Sequence, residues 1–126
     1  MTAIQQDPTM PTSSSSPSAE HVVICAYDGL QPERGVAALL PGGVQVAVFR
    51  TYDGTLYALS NLDPFSGAAV LSRGIVGDRD GTPVVVSPIY KQAFDLRTGV
   101  SLDDPTISVP SYEVGVMDGM VWVGVP

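Results

Sequence analysis

The sequence predicts an all-β domain, a barrel or sandwich of short antiparallel strands, and three observations carry that expectation. Thirteen Gly and eleven Pro in 126 residues supply many tight turns and interrupt any long element. From residue 21 onward, short β-type runs alternate with turn signals about every 8–12 residues, the spacing of sandwiches and barrels. Helical periodicity is absent beyond Ala68-Ala69-Val70-Leu71, which suits one turn at most.

The elements follow in order. Residues 21–27 form the first apolar run, broken by Asp28-Gly29, and 32–35 read as a polar loop. The run 36–40 is closed by Pro41-Gly42-Gly43. Residues 44–51 suit a half-buried strand with Val44, Val46 and Val48 on one face. Asp53-Gly54 offers the two positive φ angles of a type I′ hairpin turn, returning the chain into 56–59. Asp80-Gly81 does the same between 74–77 and 83–86. Asp118-Gly119 repeats it between 112–116 and 120–125, where β-branched Val121, Val123 and Val125 alternate with Met120 and Trp122.

Composition bounds the function. The length suits a single core, so the expectation is one β domain over 21–126. Residues 1–20, with Ser13 to Ser16 and three prolines, have too little apolar surface to offset ordering entropy and read as a disordered tail. They lack the basic and apolar regions of a secretory signal. No apolar run approaches the ~18 residues of a membrane helix. The net charge of −7 disfavours phosphate backbones, so no nucleic-acid or membrane partner is expected. A cytoplasmic protein is the expectation. Cys25 and His21 are the only thiol and imidazole in the chain. A His/Cys metal centre is therefore out of reach within one chain.

Two loops, 60–67 and 87–94, each follow an apolar run. The strings Asn61-Leu62-Asp63-Pro64-Phe65, then Leu71-Ser72-Arg73-Gly74-Ile75-Val76-Gly77-Asp78, then Ser87-Pro88-Ile89-Tyr90-Lys91-Gln92-x-Phe94 stand in that order. Together they resemble the small subunit of assimilatory NAD(P)H-dependent nitrite reductase. The likeness runs from near Ile24-Cys25 to the last strand, although an aromatic expected near His21 is missing. The resemblance implies a Rieske-like, ISP-type barrel or sandwich that carries no cluster. It also implies a large-subunit partner holding FAD, a [4Fe–4S] cluster and sirohaem, which passes electrons from a nicotinamide to nitrite and yields ammonium. The small subunit is then accessory, with no cofactor and no catalytic residue of its own.

A Rieske centre takes two cysteines and two histidines, spaced Cys-x-His and Cys-x-x-His in its two loops. Laid on this chain, the first pair falls on Asn61 and Asp63 and the second on Ser87 and Tyr90. None is a soft ligand, which excludes an electron-carrying ferredoxin, and a single carboxylate is thin ligation for Mg²⁺ or Ca²⁺. The expectation is that Asp63 accepts hydrogen bonds from the Tyr90 hydroxyl, from Lys91 or from loop amides, clasping the loops without metal. No nucleophile–base–orienter set is visible, since Ser87 and Lys91 have the wrong spacing and His21 lies far off in sequence. Pro64, Phe65, Ile89, Tyr90 and Lys91 are the candidate partner contact. Phe65 and Ile89 have an alternative role in capping the local core. Arg73, Asp78 and Arg79 suit ion pairs along a hairpin, Cys25 a small buried hydrophobe, and Met120 and Trp122 packing. The alternative function is a stand-alone module binding a small ligand or a protein, with the vacant cleft between the loops as the ligand's seat.

Overall fold

The computed structural model describes residues 20–125. The expected tail lies outside them apart from Glu20, whose carbonyl accepts a hydrogen bond from the Val125 amide. The strands are β1 (His21–Ala26), β2 (Arg34–Leu39), β3 (Gln45–Arg50), β4 (Leu56–Ser60), β5 (Ile75–Arg79), β6 (Thr82–Val86), β7 (Ala93–Asp95), β8 (Ser111–Tyr112), β9 (Val114–Met117) and β10 (Met120–Gly124). They form three antiparallel sheets, ordered β1-β10-β9, β2-β3-β4-β8 and β5-β6-β7. Among the described residues the helical content is two single 3-10 turns, Tyr27–Gly29 and Leu71–Arg73. The second falls at the end of the stretch expected to make one turn at most.

Four expectations need correction. The first is β2, which starts at Arg34, inside the expected loop, because it pairs with β3 along its whole length from Arg34↔Arg50 to Leu39↔Gln45. The second is β7, which has no alternating pattern to announce it. Its three residues are all buried, so no solvent-facing side alternates with a buried one. The third is β3, which is buried on both faces rather than half-buried, with Val46, Ala47, Val48 and Phe49 all fully buried. Val46 and Val48 join Leu30, Leu40, Ala58, Val116, Val121 and Val123 in one core. Ala47 and Phe49 point the other way, into a core with Leu59, Leu71, Val85, Phe94 and Leu96.

The fourth correction concerns a turn. Asp80 and Gly81 have φ of 52° and 86°, and Asp118 and Gly119 have 54° and 76°, as type I′ turns require. At 53–54 only Gly54 is left-handed, with φ 90°. The Asp53 carboxylate instead accepts hydrogen bonds from the Thr51 hydroxyl (2.5 Å) and the Thr55 amide (3.2 Å). That side-chain turn holds Asp53 at negative φ and leaves the glycine alone to close the hairpin.

β4 delivers the first loop and β6 the second. The turn at Leu71–Arg73 is approached closely by β2. A Cβ on Gly35 would lie 2.7 Å from both the Phe49 ring and the Ser72 carbonyl, so β2 reaches the turn only without a side chain there.

Candidate functional site

The first loop leaves β4 at Asn61, which is 2% exposed. The Asn61 amide nitrogen donates to the Ala69 carbonyl (3.2 Å) and the Gln45 side chain (3.4 Å), and its Oδ1 accepts from the Ser72 amide at 2.7 Å. The Asn61 backbone bonds to Gln45 of β3 and to Leu71. One side chain thus ties β3, the loop and the 3-10 turn together.

Asp63 is fully buried. Its Oδ1 accepts from the Phe65 amide at 2.8 Å, a turn that leaves Pro64 exposed at the apex. Its backbone closes the loop, donating to the Ala68 carbonyl (2.8 Å) and accepting from the Gly67 amide (2.7 Å). The Asp63 Oδ2 accepts from the Ser87 hydroxyl at 2.5 Å, and Ser87 is also fully buried.

The bond across the loops is therefore made by Ser87, and neither Tyr90 nor Lys91 takes part. The reason is reach. Ser87 stands at the buried end of β6, while the loop beyond it turns outward. The Lys91 amide donates back to the Ser87 carbonyl (3.1 Å), the Ser87 amide donates to the Gln92 carbonyl (2.9 Å), and Lys91 adopts φ 62°. The Lys91 ammonium donates to the Pro88 carbonyl at 3.1 Å. Ile89, Tyr90 and Lys91 are carried into solvent, Ile89 at 42% and Tyr90 at 60% exposure. The space between the loops, expected as a vacant cleft, is taken up by the Asp63–Ser87 pair.

Of the five candidate contact residues, Phe65 differs from the rest. It is half-buried against the core of Phe49 and Leu71, its ring centroid 6.0 Å from that of Phe94 and tilted by 52°. Pro64, Ile89, Tyr90 and Lys91 are the exposed residues at the loop tips, while Leu62, 50% exposed, lines a different hollow with Gly43, Val44 and Ala69. Sequence reasoning missed Ser87 as the partner of Asp63, and Asn61 and Ser72 as a linked pair. A small hydroxyl directly after an apolar strand was the available signal for Ser87.

Elsewhere, burial pushes the Cys25 thiol above its ordinary value, against a reactive role. His21 lies edge-on to Trp122 at 6.0 Å, in a different sheet from both loops. The Arg97 guanidinium, bonded to Asp95 at 3.1 Å, holds that carboxyl below the usual carboxylate range. Arg79 pairs with Asp103 at 3.6 Å, across to another loop rather than along its own hairpin, and Asp78 caps the turn at the Gly81 amide. Trp122 packs as expected, whereas Met120 is 38% exposed at the edge of the final hairpin.

Residues 20–124 match the Rieske-like [2Fe-2S] domain family. The nitrite reductase (NADH) small subunit of Escherichia coli K12 is 46% identical over 99 residues, covering 78% of this chain and 91% of that one. The chain belongs to the nitrite reductase small-subunit family. A Mycobacterium tuberculosis crystal structure assigned as an NADH-dependent nitrite reductase small subunit superposes with a TM-score of 0.81 at 56% identity. It covers 82% of this chain and 93% of the other. A Klebsiella oxytoca protein named nitrite reductase [NAD(P)H] large subunit is 45% identical over 108 residues, which is 86% of this chain but only 11% of that one.

The wider Rieske-like family implies a [2Fe–2S] centre, and the residues of this small-subunit relative do not fit one. Its four loop positions offer an amide, a carboxyl, a hydroxyl and a solvent-facing phenol. The polar groups of the first three are engaged with one another or with the backbone. Two thiolates and two imidazoles are needed, and the chain's one of each lies on β1.

Proposed function

We propose that this chain is the accessory small subunit of a cytoplasmic NAD(P)H nitrite reductase and holds no cofactor. Its tip of Pro64, Ile89, Tyr90 and Lys91 docks on a large subunit that carries FAD, a [4Fe–4S] cluster and sirohaem and reduces nitrite to ammonium. The observation that carries this reading is the buried Asp63–Ser87 bond. It ties the two loops together and leaves their apolar and cationic ends in solvent, a composition suited to protein contact. The Klebsiella large subunit supports the partner, because a segment homologous to nearly the whole of this chain lies within that longer polypeptide.

The test is co-expression with the large subunit, followed by co-purification and nitrite-dependent NADH oxidation with and without this chain. Tyr90→Ser with Lys91→Glu is expected to raise the Kd at least about tenfold with unchanged circular dichroism. Phe65 is left intact because its removal would disturb the core. Undiminished co-purification removes the tip from the interface. A brown purified chain with stoichiometric sulfide would overturn the cofactor-free reading.

A further inference from the structure

A second face of the molecule has unused chemistry. The chain has six Lys and Arg residues in all. Arg50 lies over the Tyr27 ring and donates to the Leu30 carbonyl. Arg79, Lys91 and Arg97 are bonded as described above. The side chains of Arg34 and Arg73 have neither a hydrogen bond nor an ion pair among the described residues, and both are exposed. The two line the same cleft, of about 510 Å³, between 33–35 at the start of β2 and 72–76. Glu33 also lines it, so two guanidiniums face one carboxylate.

The cleft has two further properties. Ile75, 72% exposed, sits on its wall and is the second most exposed large hydrophobic residue among the described residues after Tyr52. The strands that bound it, β2 and β5, are both edge strands, each paired on one side only. A free edge presents unpaired amides and carbonyls to an incoming extended chain.

We propose that this cleft docks an extended, acidic segment of the large subunit, with Arg34 and Arg73 pairing its carboxylates and Ile75 covered by an apolar neighbour. The proposal rests on the reading that the chain assembles with a large subunit, and it adds a second contact distinct from the tip. Charge selects the occupant. On a molecule of net charge −7, an acidic segment is repelled by most of the surface and finds unneutralised cations here. A small inorganic anion fits less well, because the two cations are flexible, exposed side chains and bind without enclosure. Arginine beside an exposed apolar side chain is the composition of protein interfaces.

The test measures the Kd of the full chain for the co-purified large subunit at 50 and 300 mM NaCl. Wild type is expected to weaken with salt. Arg34→Glu with Arg73→Glu is expected to raise the low-salt Kd at least about tenfold and flatten the salt dependence, with unchanged circular dichroism. Arg34→Lys with Arg73→Lys should recover part of the affinity, because the charge remains while the bidentate fork is lost. A wild-type complex whose Kd and salt slope survive the double reversal overturns the cleft contact alone. Failure of wild type to bind any large subunit overturns the proposed function as well. Saturable nitrite or phosphate binding that the reversal abolishes while the complex stays intact assigns the cleft to a small anion and overturns the proposal. Self-association lost in the same variant assigns the cleft to a second copy and overturns it equally.

Discussion

Asp63 and Ser87, which the Cys-x-His and Cys-x-x-His spacing would set at a histidine and a cysteine, bond to each other. Removing the hydroxyl by Ser87→Ala leaves a buried carboxyl oxygen without its partner, a loss of about 1–3 kcal/mol. Tyr90→Ala, in solvent, is expected to change stability by less than about 0.5 kcal/mol. Urea unfolding of the two variants checks the contrast, and equal losses would contradict it. The sequence made the absence of soft ligands plain, because one Cys and one His can be counted. It did not reveal which loop group reaches Asp63. Tyr90 has the longer side chain, but the backbone bonds that close 87–92 turn it outward, and no residue-by-residue rule anticipates that closure.

At the scale of elements, the hairpins were the most legible feature, since Asp-Gly pairs between β-branched runs have a local physical cause. The exception at 53–54 has an equally local cause in the two threonines that flank Asp53. β7 was hidden because three buried residues are too few to show a period, and the true start of β2 because it depends on pairing with Arg50 at the far end of the hairpin. Gly35 marks such a dependence. With φ in the ordinary range, its need for glycine comes from packing between the Phe49 ring and the Ser72 carbonyl. Gly35→Ala is expected to cost about 1–3 kcal/mol by forcing β2 away from the 3-10 turn. Thermal unfolding reads this directly, and an unchanged midpoint would show that the neighbours yield freely.

For the whole molecule, β3 is the shared wall of two cores, with alternate side chains committed to each. Removing bulk on either side should therefore be felt by the entire chain. Phe49→Ala is expected to cost about 3–5 kcal/mol and Val48→Ala less, both within a single transition. Trp122 fluorescence and far-ultraviolet circular dichroism are expected to coincide in both variants. Two separated transitions in either variant would mean that the sheets unfold independently. The all-β class and the family were readable in advance. The double burial of β3 was not, because alternating valines look the same whether their intervening neighbours face water or a second sheet.

The bonds of Asn61 carry a consequence for how this lineage can change. A cysteine at 61 would strip the Ser72 amide and the Ala69 carbonyl of their partner, and a cysteine at 87 would strand Asp63. The two cysteines would thus each arrive harmful on their own, before any iron could compensate. Installing both cysteines would require several substitutions at once, so the present loop residues are held in place by their own bonding.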